Sequence, residues 1–295
     1  MFMYKMTLSI LILFITCITI VYGQNTSLPR NTQDMSVIDF GNIRISYAFN
    51  ATDIKNHKTY DDLQLLEIGA TQSKYYSFFI SNSDSLCTDW GINNSNSSVF
   101  PSRMGVRGKD PLWSEYYFSE YYKNFTTNTL TEFARMPSLL HNANAYYEEE
   151  LPTINWIIHD DTLILMTYQC QKAICHFRGR DFVAWFAPDI PISNGPWKFG
   201  GLPGLILKIS DTEGRCDFEC IKIEQLKQKF PIKKHNEYNT KYKKKDRKTI
   251  LKFQKEVHED YNKLAGLTPL PNFGSEHTRQ KTERIKRIYE PIELE

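Results

Sequence analysis

The chain has 295 residues, of which 41% are hydrophobic and 14% aromatic, and its formal net charge is +2. This apolar fraction is ordinary for a globular protein, the length suits one large β domain or two smaller units, and the aromatic content suits a β-rich core. Beyond residue 23 no segment is apolar enough to span a bilayer, which excludes a chain that spans the membrane after signal cleavage.

Residues 1–23 predict a secretory signal peptide. One positive charge, Lys5, precedes an apolar run over residues 8–21, and the small residue Gly23 closes the segment. This run of roughly 14 residues is shorter than the ~20 that cross a bilayer, so a transmembrane anchor is disfavoured. We therefore expect an exported protein, located in the periplasm or outside the cell.

Residues 24–40 are polar and lack periodicity, which predicts a flexible N-terminal arm. Residues 41–223 predict a β-rich domain that begins with an alternating strand over residues 43–49. A loop with one short helix is expected over residues 81–104. Other short strands are predicted at residues 63–68, 74–80, 130–134, 144–150 and 162–169. The absence of long helices between them predicts an antiparallel meander.

The most constrained stretch of the sequence is residues 177–211. It predicts a strand over 177–186, a Pro/Gly-rich break, and a second strand over 205–210. Within the break, Gly201, Pro203 and Gly204 predict a type II turn. Proline presets φ at its second position, and Gly204 is expected to supply the positive φ at its third.

The C-terminal part combines a hairpin, a basic segment and a helix. Residues 215–223 predict a strand that pairs with residues 205–210. Residues 224–246 are rich in lysine and predict a basic loop. Residues 247–295 are assigned to the same domain as a helix followed by a tail, because one face of residues 247–264 is apolar. The residues of that face are Ile250, Phe253, Val257, Tyr261 and Leu264.

Residues 201–206 read GLPGLI, and the chain resembles the GLPGLI family of secreted bacterial proteins. The resemblance covers roughly residues 44–223 and the closing residues 290–295. Supporting motifs lie at residues 146–148, 154–156, 170–173, 177–180, 184–186, 190–192 and 195–199. The family has no agreed activity; its pattern is similar to a bowl-like N-terminal domain of some secreted peptide-N-glycosidases, and members are often encoded near outer-membrane receptors.

The resemblance also favours a strand over residues 115–125, whose aromatic residues equally fit a helical stripe. Together with the strand series, it predicts a mainly β fold. We expect an antiparallel meander that forms a half-open barrel or bowl, with the C-terminal amphipathic helix packed outside.

Four cysteines, Cys170, Cys175, Cys216 and Cys220, are disulfide candidates because an exported chain meets an oxidising compartment. Cys216 and Cys220 are too far apart on one extended strand to bridge each other. Cys170 and Cys175 could meet across a hairpin loop, or each could cross to the other strand. The spacings differ from those of paired zinc ligands, so we predict neither a metal nor another cofactor.

Motifs of common catalytic sites are missing from the sequence, including HExxH, GxSxG and the phosphate loop. Carboxylates at residues 148–150 and at Asp160 and Asp161 could form an acid/base pair, although such clusters are more often solvated turns. A glycan- or peptide-acting hydrolase that uses these carboxylates is therefore the alternative function.

The preferred function is a non-catalytic binding or accessory protein of the bacterial envelope. A ligand would contact the constrained stretch, where arginines and aromatic rings could hold a carboxylate, phosphate or sugar. The candidate residues are Arg178, Arg180, Trp185, Trp197, Lys198 and Phe199. The alternative is that these residues have a structural role, with the arginines paired to Asp181 or Asp189 and the tryptophans buried in the core. We favour this structural role over ligand contact. Expected partners are an outer-membrane receptor or an envelope glycan or peptide, and not nucleic acid.

Overall fold

The computed structural model describes residues 27–109, 113–235, 242–266 and 290–294. The predicted signal peptide and much of the predicted tail lie outside them. Twelve strands are present in these residues: β1 Met35–Phe49, β2 Asp62–Gly69, β3 Gln72–Ser77, β4 Ser119–Asn124, β5 Thr129–Ala134, β6 Ala145–Glu150, β7 Ile157–Leu165, β8 Tyr168–Phe177, β9 Arg180–Ala187, β10 Leu205–Asp211, β11 Asp217–His235 and β12 Lys243–Lys244. Three helices are α1 Phe78–Asn93, α2 Glu115–Phe118 and α3 Arg247–Leu264.

All twelve strands belong to one open sheet, in the order β12-β6-β5-β4-β3-β2-β1-β11-β10-β9-β8-β7. Every pairing is antiparallel except β12 with β6, which is parallel. The prediction of a mainly β, antiparallel meander is confirmed. Residues 188–204, which connect β9 to β10, contact β3 and β4 through hydrogen bonds of Asn194.

The predicted N-terminal arm is wrong over residues 27–40. Strand β1 begins at Met35, opposite His235 of β11, rather than near residue 43. Before it, the Arg30 guanidinium lies 3.3 Å from Asp84 of α1 and 2.5 Å from Glu120 of β4, and these groups are buried. A polar segment was expected to be solvated, but buried partners from distant parts of the chain hold it in place.

The predicted basic loop is wrong over residues 224–235, which continue β11. The backbone of residues 224–225 and 230–235 pairs with β1, opposite residues 43–44 and 35–41, and Lys233, which pairs with Val37, has an exposed side chain. Charged side chains can occupy a strand whose backbone is paired when they point into water. The partner that makes this possible is nearly two hundred residues away in sequence.

Helix α1 is longer than the short helix expected within residues 81–104, and a loop follows it over residues 94–104. The helix begins at Phe78 and so ends the strand expected over 74–80. Ser77 caps it by accepting a hydrogen bond from the Ile80 amide. The buried face of α1 includes the polar residues Ser83 and Asp84 beside Phe79. The sequence therefore lacks the continuous apolar stripe that would indicate an amphipathic helix. Within residues 115–125 the structure has both a helix and a strand: the single turn α2 comes first and β4 follows it.

Helix α3 occupies the predicted residues, with Asp246 as its N-cap. Ile250 and Val257 are buried against Trp113 and Tyr147 in a second core cluster, so the predicted apolar face is confirmed. Among the described residues, no helix has the length and apolarity needed to cross a membrane.

Gly201 and Gly204 lie in the turn between β9 and β10 as expected, but each has a different role from the predicted one. Gly201 has a φ of +89°, whereas Gly204 does not have a positive φ. A Cβ at Gly204 would instead lie 2.3 Å from the carbonyl oxygen of Ala187. Gly204 is therefore required because two backbone segments approach each other closely, and the type II assignment at Gly204 is wrong.

We predict that Gly204→Ala lowers the free energy of unfolding by at least about 2 kcal/mol, because backbone must move to admit a methyl group. Gly200→Ala is the matched control: its Cβ would lie 3.4 Å from the nearest atom, so little change is expected. Urea unfolding measures both variants. Equal stability of the two variants would contradict this account of the turn.

Candidate functional site

The connection between β9 and β10 is held to the sheet by a buried lysine on β4. The Lys123 ammonium donates to Asn194 Oδ1 at 2.8 Å and to the carbonyl oxygen of Phe199. Asn194 in turn donates to Ser73 Oγ on β3 at 3.1 Å. These bonds cross from the β9–β10 connection to two strands that are not its neighbours in the sheet.

Burial, without an opposing contribution from a carboxylate, lowers the pKa of Lys123 to about 7. Sequence reasoning missed this residue, because a lysine within the aromatic run of β4 predicts a solvent-facing position. The burial of Lys123 becomes apparent only in three dimensions, where the β9–β10 connection covers its side chain.

Two of the predicted ligand contacts are core residues. Trp197 and Phe199 are 3% and 0% exposed, and their ring centroids lie 5.1 Å apart. Phe177 and Phe182 complete this aromatic cluster, at 5.9 Å from Trp197 and 4.8 Å from Phe199. These two residues are unavailable to a ligand, so the structural alternative holds for them. Trp185 is half-buried on the other face of β9.

The two predicted arginines do not share one strand face. Arg178 and Gly179 form the two-residue turn between β8 and β9, with φ of +53° and +78°. Arg178 pairs with Glu149 of β6 at 2.6 Å. The expected partner Asp181 instead contacts His176, at 2.7 Å.

Arg180 is buried and holds two kinds of partner. Its guanidinium lies 3.2 Å from Asp211 and 3.3 Å from Glu213. It also donates twice to the carbonyl oxygen of Pro291, at 3.1 and 2.7 Å. The predicted partner Asp189 is therefore replaced by carboxylates near the β10–β11 turn and by the C-terminal part of the chain.

Lys198 lies at the centre of a buried polar cluster. Its ammonium donates to the hydroxyl of Tyr147 at 2.7 Å, lies 3.2 Å from Glu132 and donates to Glu293. Arg247, at the start of α3, also donates to Glu293. Lys198 is only 3% exposed, so in this structure its partners are parts of the chain itself rather than the free ligand that was predicted.

Three cations surround the Glu293 carboxylate, since Arg178 lies 3.6 Å away in addition to Lys198 and Arg247. Burial alone would raise the pKa of Glu293, but the attraction of Lys198, Arg178 and Arg247 outweighs it and holds the pKa below its usual value. The structure thus gathers three predicted site residues, Arg178, Arg180 and Lys198, around residues 290–294.

A cavity of about 20 Å³ adjoins this cluster, between Glu293 and α3. Two buried polar atoms of its lining, Glu115 Oε1 and Gln254 Nε2, lack a hydrogen-bond partner among the described residues. The volume suffices for one water molecule, which such atoms require. The cluster is therefore polar, and the described residues do not satisfy all of its hydrogen-bonding atoms.

The expected disulfide is not formed, since Cys87, Cys170, Cys175, Cys216 and Cys220 are all free thiols. Cys170 and Cys175 lie on the single strand β8 rather than across a loop, so they are about 16 Å apart along the chain. Cys216 and Cys220 lie just before and within β11, which β9 and β10 separate from β8. Burial raises the pKa of Cys175 to about 12, so this thiol stays protonated.

The carboxylates of the alternative hydrolase are engaged elsewhere. Glu148 accepts from Lys244, and Glu149 contacts Arg178 and Arg247. Asp161 lies 3.4 Å from Lys172 on the other end of the sheet order. The structure does not bring residues 148–150 together with Asp161 in one contact.

An open pocket of about 650 Å³ lies beside the edge strand β7, and sequence reasoning did not assign its residues to a ligand. Trp156, Ile157 and Ile174 supply apolar wall, and the pair His176 and Asp181 supplies polar groups. Ile157 is 62% exposed. The predicted strand covers residues 162–169 and not Ile157, and only the sheet order shows that β7 is an edge.

Comparisons with known proteins bear on the same stretch. A family model described as "Protein of unknown function (Porph_ging)" matches residues 177–208, from the end of β8 into β10. Two solved structures of PNGF-II, in the P21 and C2 space groups, are similar with TM-scores of 0.44 and 0.43 and 15% sequence identity. A search of the curated proteins gave no match.

Each comparison with PNGF-II covers 73% of this chain and 33% of that chain. The chain therefore spans about a third of the length of the structures it resembles. A similarity at this level does not carry over an activity, and the family description assigns none.

The pKa of Lys123 predicts how stability depends on pH. Its folded value of about 7 lies below the ordinary 10.5, so the unfolded chain binds the extra proton between these values. The free energy of unfolding should therefore rise with pH in this window, by at most about 1.4 kcal/mol per pH unit, while the full cost of the buried charge is present below pH 7.

Lys123→Met should remove this rise between about pH 7 and pH 9 in urea unfolding. Lys208→Met is the control, because Lys208 is paired with Glu219 at 2.5 Å and should leave the rise in place. A Lys123→Met variant with the same slope as the parent chain would contradict a neutral buried amine.

Proposed function

We propose that this chain is an exported, non-catalytic binding protein of the GLPGLI type that acts in the bacterial envelope or outside the cell. The observation that supports it most is the open pocket beside β7. Its volume of about 650 Å³ lies within the range of roughly 300–1,000 Å³ that ligand sites occupy. The leader-like residues 1–23 support export.

The pocket lining indicates the chemistry of the ligand. Trp156, Ile157 and Ile174 offer an apolar surface, which can pack against an aliphatic side chain or the face of a sugar ring. His176, Asp181 and Thr212 offer donors and acceptors at the rim. An envelope glycan or peptide has this combination of groups, and an outer-membrane receptor that presents such a segment is the protein partner we propose.

Hydrolysis of a glycan or peptide remains the alternative from the sequence. Its carboxylates Glu148 and Glu149 are paired with cations, which lowers the support for it relative to binding. Turnover of a bound ligand, seen as new reducing ends or new amino groups, would favour the hydrolase over the binding protein.

We expect the chain to bind defined cell-wall glycan or peptide fragments, and Ile157→Lys to weaken that binding at least tenfold by placing a charge in the pocket. Ile164→Lys is the matched control: Ile164 lies on the same strand and is 72% exposed, but does not line the pocket. Binding isotherms and thermal unfolding of both variants test this. Equal loss in the two variants, or no binding by the parent chain, would contradict the proposal.

A further inference from the structure

Residues 290–294, here called the C-terminal segment, lie outside the strands and are held by side-chain and single backbone contacts. Arg180 donates two hydrogen bonds to the carbonyl oxygen of Pro291. The amide of Leu294 donates to the carbonyl oxygen of Arg178 at 3.0 Å. Proteins bind extended peptides in this way, with backbone contacts for affinity and pockets for selected side chains.

Two side chains of the segment enter separate pockets. Ile292 is 3% exposed and packs in the main hydrophobic core. Glu293, next to it, enters the cationic pocket formed by Lys198, Arg178 and Arg247. The order of an apolar residue and a carboxylate is therefore matched by an apolar pocket and a cationic pocket.

Glu293 is the carboxylate that contacts all three cations of the pocket. Glu132 contacts Lys198 only, and Glu149 contacts Arg178 and Arg247. Without the segment, each of these largely buried cations would lose one carboxylate contact, which is unfavourable. An emptied pocket would therefore take a carboxylate from another source.

The segment leaves part of the site unused. The cavity beside Glu293 contains the unpartnered atoms Glu115 Oε1 and Gln254 Nε2, from residues that are each more than nine-tenths buried. A ligand with one additional polar group at this point could satisfy both atoms. A related peptide could thus make polar contacts here that the segment itself does not make.

We propose that the C-terminal segment occupies a peptide-binding site in cis, and that this site binds an acidic extended peptide with the pattern Pro-apolar-Glu in trans. The site is separate from the pocket beside β7 and does not depend on the function proposed there. Because the segment is tethered through residues 267–289, its effective concentration is high, and it competes with any peptide from outside. Only a well-matched acidic peptide displaces it.

The experiment uses the full chain with a specific protease site introduced within residues 267–289. The folded chain is cut and mixed with an excess of labelled EPIELE, the sequence of residues 290–295. We expect the labelled peptide to replace the cut fragment in a one-to-one complex. Fluorescence anisotropy measures its binding, and size-exclusion chromatography measures the size of the complex. The matched peptide EPIQLE should bind more than tenfold more weakly, because it lacks the buried charge.

Lys198→Met in the same cut chain provides the second measurement. It should reduce the difference between EPIELE and EPIQLE, because one cation of the pocket is gone, while circular dichroism reports whether the β fold persists. The proposal is overturned if the cut fragment never exchanges, if both peptides bind equally to the parent chain, or if loss of the fragment unfolds the sheet. Exchange only as a dimer, with segments swapped between copies, would overturn the choice of an outside peptide.

Discussion

The β9–β10 connection depends on one desolvated amine. Lys123 reaches from β4 to Asn194 and to the carbonyl oxygen of Phe199, and so fixes a segment rich in proline and glycine across the face of the sheet. With the connection in place, Trp197 and Phe199 meet Phe177 and Phe182 in the core. A buried amine without a paired carboxylate costs free energy, and the aromatic burial that it positions offsets this cost.

Buried ion pairs hold both ends of the described chain. Near the start, Arg30 joins Asp84 and Glu120; at the other end, Glu293 joins Lys198 and Arg247. Such pairs add little net stability relative to apolar packing, but removal of one partner lowers stability strongly because the other charge is left buried and unpaired. These ion pairs therefore specify which polar segment binds at each end. Apolar contacts are less specific, because any apolar segment could make them.

The two sites differ in how a ligand would reach them. The pocket beside β7 is open and largely apolar, so a ligand would enter it from solution without rearrangement of the chain. The cationic pocket is filled by the chain itself, so an outside peptide must compete with a tethered one. A single chain can thus combine a freely accessible site with one that responds only to a close match.

The strand alternation of residues 43–49 and the apolar face of residues 247–264 were sufficient to predict the second half of β1 and the whole of α3, because each depends on a local period. The wrong expectations concern residues whose partners lie far away. The basic part of β11 pairs with β1, α1 buries Ser83 and Asp84, and Gly204 avoids Ala187. The sequence also pointed to Arg178, Arg180 and Lys198 as residues that hold an anion, but Glu293 could be matched to them only in three dimensions. Local sequence determines periodicity and turns, whereas the burial of a charge depends on which distant segment supplies its counter-ion.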